Sequence, residues 1–210
     1  MEECMLDVVQ QKQATRAEAL ARRDDIPQAL REQKSATISS RLAAKLDRLL
    51  DNHQGGPVTV ATYSAMGSEP DPSAFASYAE RRGCRVVYPC MLAAAEAAAS
   101  GQRMCMRAVA AGDAFAAPFI AHPTRAFAAA DIDSDRFPIV PAEALDMIVV
   151  PLVAFDLTGA RLGYGGGCYD RYLPTLRPDC QIIGIAFDEQ CVDHVPTNAH
   201  DLPLPNIISA

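Results

Sequence analysis

Four short runs are almost wholly apolar and rich in Val and Ile: PVTVATYS (57–64), CRVVYP (84–89), MIVVP (147–151) and IIGIAF (182–187). Each is too short for a helix and too continuous for a strand with one wet face, so each reads as a strand covered on both sides. Segments of helical spacing lie between them. Buried strands alternating with helices define an α/β fold, here a single three-layer domain over residues 1–210 with a mainly parallel central sheet flanked by helices. A chain of 210 residues suits one such core, and no internal repeat or low-complexity linker divides it.

The segments around the strands follow the same logic. Residues 7–50 read as two helices separated by Asp24, Asp25 and Pro27. Leu6, Val9, Ala14, Ala17 and Leu20 give the first an apolar spacing. Ile26, Leu30, Ile38, Leu42, Leu46, Leu49 and Leu50 do so for the second, which stops at DNHQGGP. A helix over 73–82 carries Phe75, Tyr78 and Ala79 and ends at Gly83. Residues 92–137 carry the weakest pattern, with MCMRAV as a strand and GDAF as a turn. A short helix over Pro141–Leu145 precedes MIVVP. VAFD, TGARLGYGGG and CYDRYLPTL then read as strand end, glycine-rich loop and helix, and the chain closes in Pro-rich coil ending in NIIS.

Charge and cysteine usage narrow the function. With 19 Lys+Arg against 26 Asp+Glu the net charge is -7. That argues against nucleic acid as a partner, which needs clustered basic residues, but leaves room for a local cationic pocket. No apolar run approaches the ~18–20 residues of a membrane span, and the start MEECMLDVVQQKQ lacks a basic segment followed by an apolar one, so no membrane partner and no signal peptide are expected. The seven cysteines (4, 84, 90, 105, 168, 180, 191) form no CxxC pair, and the four histidines (53, 122, 194, 200) supply no zinc spacing. Free thiols in a reducing cytosol are the expectation, hence a cytoplasmic protein.

The chemistry should lie beyond the carboxyl ends of the strands, where open parallel sheets bind ligands. Arg161–Tyr172, RLGYGGGCYDRY, occupies such a place. Its glycines at 163, 165, 166 and 167 let the backbone turn sharply and approach a ligand, and successive N–H groups there form an anion site that Arg161 reinforces. A polyphosphate is the ligand suggested, against the plainer reading of a tight turn. A Walker A loop is excluded because Cys168 and Tyr169 follow Gly167 where Lys and Ser/Thr belong, and the dinucleotide fingerprint fails at Cys168. Asp170 either caps the next helix or holds Mg²⁺ beside phosphates. Tyr169 either stacks on a flat ligand or packs in the core. Cys168 at a helix start invites a thiolate, yet no histidine neighbours it. Lys12 and Arg16 share a helix face that would ordinarily be solvated. Glu69 and Asp201, taken singly, are loop carboxylates.

Together these residues resemble a pattern. ALDMIVVPLVAFDLTGARLGYGGGCYDRYL (144–173) resembles the signature of the 5-formyltetrahydrofolate cyclo-ligase family through Pro151, Phe155, Asp156, Gly159, Arg161, Leu162, Gly163, Gly165, Gly167, Tyr169, Asp170 and Leu173. Lys12 and Arg16 resemble the family's N-terminal basic pair, TYSAMGSEPD its folate loop, and IAFDEQCVDHVPTNAHD its closing segment. The chain departs from the pattern at Pro72, Leu152, Cys168, Leu204 and Pro205.

The resemblance implies ATP- and Mg²⁺-dependent cyclisation of 5-formyltetrahydrofolate to 5,10-methenyltetrahydrofolate, releasing ADP and phosphate through a phosphorylated formyl group. It implies ATP contacts from Lys12, Arg16, Arg161, Leu162, Gly163, Tyr164, Gly165, Gly166, Gly167, Cys168 and Tyr169. Folate contacts would come from Ser64, Glu69 and Tyr169, Mg²⁺ ligation from Asp170 and Asp201, and catalysis from Tyr169 and Arg161 in a monomer. The alternatives are a paralogue using the same pocket on another formamide-like or carboxylate substrate, and a non-catalytic nucleotide- or folate-binding protein.

Overall fold

The computed structural model describes residues 2–198 and 201–210, with side chains from residue 8 onward. The side chains of Cys4 and Leu6, and His200, lie outside the described residues. Two long helices, α1 (Glu2–Asp24) and α2 (Gln28–Asn52), open the chain, and Pro27 caps the second with the extended backbone its ring allows. Then come β1 (Thr59–Ala61), α3 (Ser73–Arg81), β2 (Arg85–Leu92), α4 (Ala94–Ser100), β3 (Met104–Ala108), α5 (Pro118–Ala121), β4 (Ala126–Phe127) and β5 (Ile139–Val140). The last third holds β6 (Met147–Pro151), β7 (Ala154–Phe155), β8 (Arg161–Leu162), α6 (Cys168–Tyr172), β9 (Gln181–Ala186) and β10 (Ile207–Ser209).

The main sheet has the order β10-β9-β6-β1-β2-β3-β5, with β4 beside the end of β2. Pairing is parallel from β10 through β2 and antiparallel for β3 and β5. Alternation explains the continuous apolar runs. Val60, Val86, Met147 and Val149 face a core under α2, α3 and α5, while Ala61, Val87, Ile148 and Val150 face a second core. That second core is closed by Tyr172 and Leu173, at the end of the five-residue α6, and by Leu204 from the segment before β10. The three layers are therefore unequal. Full-length helices cover one face and short pieces the other, which leaves a cleft on the thinner side.

Three expectations change. Among the described residues of the apolar stripe assigned to α1, only Leu20 packs against a core: Val9, Ala14 and Ala17 are exposed, and Lys12, Ala19 and Arg23 are buried. This face meets a small core of Val153, Ala154, Ala160, Leu162 and Val195 and a row of hydrogen-bond acceptors, so polar partners rather than hydrophobic area fix the helix. The glycine loop does not directly follow a strand of the main sheet. Residues 154–162 form a separate antiparallel hairpin, β7–β8, and Asp156 stabilises its turn by accepting from Thr158 and from the Ala160 and Val195 N–H groups. The closing NIIS is not coil. Ile207–Ser209 is β10, parallel to β9, with Ile208 in the core.

The expected strand MCMRAV is β3, whose register against β2 pairs Cys90 with Cys105 and Pro89 with Met106. Leu92 N–H donates to Arg103 C=O at 3.0 Å and Val109 N–H to Val86 C=O at 3.1 Å. Hydrogen-bonded rungs recur every second residue, so Pro89 sits on a rung that needs no N–H from it.

Candidate functional site

A cleft of about 880 Å³ opens at the carboxyl ends of β1, β2 and β6, within the range of small-molecule sites. Every residue singled out from the sequence lines it: Lys12, Arg16, Ser64, Glu69, Arg161 through Asp170, and Asp201. One part is cationic and built by α1, β8 and the glycine loop. The other is apolar and built by Tyr63, Met66, Pro89, Met91 and Met104.

The cationic part begins with α1. Lys12, Arg16 and Arg23 recur at helical spacing on the inward face. Burying charge requires partners, and each has them. Lys12 is ion-paired with Asp201, and Arg16 Nε donates to Gly163 C=O at 2.7 Å. Arg23 donates to Ser68 Oγ at 2.8 Å and to the Tyr164 hydroxyl at 3.1 Å. Arg161 is 6% exposed and donates to Asp170 Oδ1 at 2.8 Å, with its Nε unpartnered among the described residues.

The loop itself is held by its carbonyls, Gly163 by Arg16 and Gly166 and Gly167 by Arg171. Among the described residues, no protein acceptor takes the N–H groups of 163–167, which leaves them for a ligand's oxygens. Gly165 and Gly167 have φ of 93° and 63°, a region that side-chain-bearing residues avoid. The helix that follows is only five residues long, so its dipole adds little and the loop amides and arginines carry the positive potential.

Burial pushes the Glu69 carboxyl up, and a Met66 N–H bond, the Tyr164 hydroxyl and Arg23 offset it only in part. Its Oε2 accepts from Met66 at 2.8 Å, while its Oε1 is buried with no partner among the described residues. An unmatched carboxylate oxygen in a cleft is an acceptor for a ligand donor. Tyr169 lies beside it. Burial first, and Glu69 second, raise its phenol far above the ordinary value, so it is a neutral hydroxyl donor. Burial likewise raises the Cys168 thiol, which removes the thiolate suggested by its place at a helix start.

Asp170 and Asp201 are the carboxylates at the cationic part, each bonded to a cation. Among the described residues no three His, Cys, Asp or Glu side chains cluster as a metal site. Two carboxylates suit Mg²⁺ when phosphate oxygens supply the remaining ligands, because that ion is held through one or two carboxylates plus phosphates.

Sequence reasoning missed Arg23, Arg103, Arg171, Tyr63, Met91 and Met104. Arg23 could have been found, since it continues the face of Lys12 and Arg16 by two turns. Arg103 and Met104 lie in the weakly patterned middle and reach the cleft only through β3 pairing.

The fold is an α/β domain with a cleft that is part cationic and glycine-lined and part apolar. The chain belongs to the 5-formyltetrahydrofolate cyclo-ligase family, whose model it matches over residues 8–210. It is 28% identical over 202 residues to the 5-formyltetrahydrofolate cyclo-ligase of Mycolicibacterium smegmatis, covering 94% of this chain and 93% of that one. Against the Escherichia coli K12 cyclo-ligase it is 43% identical over 72 residues, a match that spans 40% of that protein and 34% of this chain. Among solved structures, the 5,10-methenyltetrahydrofolate synthetase of Mycoplasma pneumoniae shares the fold with a TM-score of 0.67 at 23% identity, over 94% of this chain and 97% of that one. The Aquifex aeolicus 5,10-methenyltetrahydrofolate synthetase does so at 0.66 and 23%, over 94% and 89%.

Proposed function

We propose that this protein closes 5-formyltetrahydrofolate to 5,10-methenyltetrahydrofolate at the expense of ATP and Mg²⁺, releasing ADP and phosphate. The observation that carries the reading is the division of one cleft into a cationic, amide-lined part and an apolar part that ends at the buried carboxylate of Glu69. Triphosphate oxygens would be taken by the loop N–H groups and by Lys12, Arg16 and Arg161. Leu162, Tyr164 and Cys168 would wall the same part. Ser64, Glu69 and Tyr169 would hold the folate, with Glu69 accepting from the N–H donors of its pterin and Met66, Met91 and Met104 covering its rings. Asp170 and Asp201 would hold Mg²⁺, which supplies charge neutralisation at the phosphates.

A formamide oxygen is a poor leaving group. It becomes a good one when it takes the terminal phosphoryl group, after which the neighbouring folate nitrogen closes the ring on the same carbon and phosphate departs. Positioning and charge neutralisation are what such a reaction asks of a protein. Arg161 and the neutral Tyr169 hydroxyl would steady the charge that builds on the transferring group. Arg161 is paired with Asp170 and Lys12 with Asp201, so both cations stand beside the carboxylates that would hold Mg²⁺.

The test is to label the formyl oxygen with oxygen-18 and follow it by mass spectrometry. The reading expects the label in the released phosphate. Label released as water instead would refute phosphorylation of the formyl group.

A further inference from the structure

We propose that Cys90 and Cys105 form a reversible dithiol–disulfide pair, oxidised by hydroperoxides, on the two strands whose opposite face lines the cleft. The two residues stand directly opposite each other on β2 and β3. The bonds from Leu92 to Arg103 and from Val109 to Val86 make theirs a hydrogen-bonded rung, where Cα atoms lie ~5.5 Å apart, inside the span of a disulfide. Both side chains point to the face that carries Tyr88 and Arg107, away from Met91 and Met104.

Arg107 makes the pair more than a chance meeting of thiols. It lies two residues beyond Cys105 on that face and is 2% exposed, with Nη1 donating to Phe137 C=O at 2.7 Å. Its Nε is buried with no partner among the described residues. A buried cation with a spare donor favours an anion beside it, and it faces both sulfurs. Bonding from Cys90, and after it the charge of Arg107, hold the Cys105 thiol below its usual value against the opposing effect of burial, while Cys90 is pushed up. Tyr172 is the other titratable group near Cys105, and its phenol is neutral because burial raises it. Cys105 is only half-buried and Cys90 is 1% exposed, which assigns the attacking role to Cys105 and the resolving role to Cys90. Burial raises the thiols of Cys84, Cys168 and Cys180 instead.

The chemistry balances. The Cys105 thiolate displaces alkoxide from the hydroperoxide, forming a sulfenic acid, and a proton converts the alkoxide to an alcohol. The Cys90 sulfur then attacks the Cys105 sulfur and expels hydroxide, which leaves as water with the Cys90 proton. Two electrons pass from the thiols to the O–O bond. A hydrogen-bonded rung holds Cβ atoms farther apart than a relaxed disulfide, so the rung must tighten, and strained disulfides are the readily reduced ones. Pro89, Met91 and Met104 flank the two cysteines and line the cleft, so the tightening is felt at the apolar part.

The test treats the full-length protein with tert-butyl hydroperoxide, caps remaining thiols and maps peptides by mass spectrometry. The expected result is a cross-linked peptide joining Cys90 to Cys105, lighter than its parts by two hydrogens and returned to thiols by dithiothreitol. Cys84→Ser keeps the cross-link and Cys105→Ser abolishes it. Cys90 and Cys105 remaining fully alkylatable while other cysteines oxidise would overturn the proposal, as would a cross-link that joins another pair. The wild-type map decides this without any variant having to fold.

Discussion

Glu69 is a carboxylate whose burial works against its charge. Burial raises its carboxyl pKa, so the folded chain keeps that proton to a higher pH than the unfolded chain does. The stability it contributes is present below the unfolded value of about 4.3 and is lost as pH rises through the folded value. Glu69→Gln stays neutral throughout. Its melting temperature, followed by calorimetry, should therefore fall less than wild type as pH rises from about 4 toward neutrality. The same variant presents an amide where the proposed folate site has a carboxylate. Its KM for 5-formyltetrahydrofolate should rise roughly tenfold, the size of one lost charged hydrogen bond, with KM for MgATP nearly unchanged. A parallel rise in both would contradict the assignment. Glu69 was legible as a candidate only through the resemblance. Its role depends on the unmatched Oε1, which depends on the fold of the 62–71 loop, and no local pattern encodes that.

Among the elements, α1 departs furthest from its sequence reading. Apolar spacing points to Val9, Ala14 and Ala17, yet the buried face is Lys12, Ala19 and Arg23. Periodicity finds faces that hydrophobic area holds down, and this face is held by hydrogen bonds to a loop more than a hundred residues away. Two variants separate its tasks. Arg23→Met removes the bonds to Ser68 and Tyr164 and should lower stability by about 2 kcal/mol in chemical denaturation, since hydrogen bonds to charged groups are worth roughly 1.5–3. Arg16→Ala removes a half-buried side chain from the cationic part of the cleft, the proposed phosphate site. It should raise KM for MgATP about tenfold while costing less stability than Arg23→Met, since it removes one hydrogen bond from a half-buried group rather than the buried set that Arg23 makes. Equal losses of stability in the two would mean that the helix face is structural along its whole length.

The β7–β8 hairpin makes a second element-scale claim. Gly159 has φ of 86°, and a Cβ there would lie 2.5 Å from Leu204 C=O. Leu204 N–H also donates to Gly159 C=O at 2.8 Å. The hairpin turn thus docks the closing segment and sets the position of Asp201. Gly159→Ala should destabilise by roughly 2 kcal/mol or more and weaken MgATP binding, read by thermal shift with and without nucleotide. Gly163→Ala should do neither through crowding, because nothing lies within 4 Å of its Cβ position. Leu204, one of the departures from the family pattern, is placed by its side chain rather than by this backbone contact. It is 4% exposed and packs over Gly184 in the core.

At the scale of the whole molecule, a chain of net charge -7 gathers Lys12, Arg16, Arg103, Arg161 and Arg171 around one cleft. The main strands were legible because parallel strands buried on both faces read as unbroken apolar runs. The strand Ile207–Ser209 was not, because proline punctuation around a three-residue strand hides it. In the middle segment MCMRAV was legible and is β3, but the two-residue β4 was not, because it owes its state to pairing with β2. The glycine loop and its arginine were legible because few sequences need such a turn. The apolar wall was not, since Met and Pro carry no motif. Among the described residues no helix is long and apolar enough to cross a membrane.

The central claim is that this cleft joins phosphoryl transfer to folate ring closure. The most direct measurement adds purified protein to MgATP and 5-formyltetrahydrofolate and follows the near-ultraviolet absorbance of the methenyl product. The account predicts a rise that requires protein, ATP and Mg²⁺ together, and that falls at least roughly 100-fold in rate with Asp170→Ala. No rise from a folded protein that still binds MgATP would contradict it and leave the cleft to a different substrate.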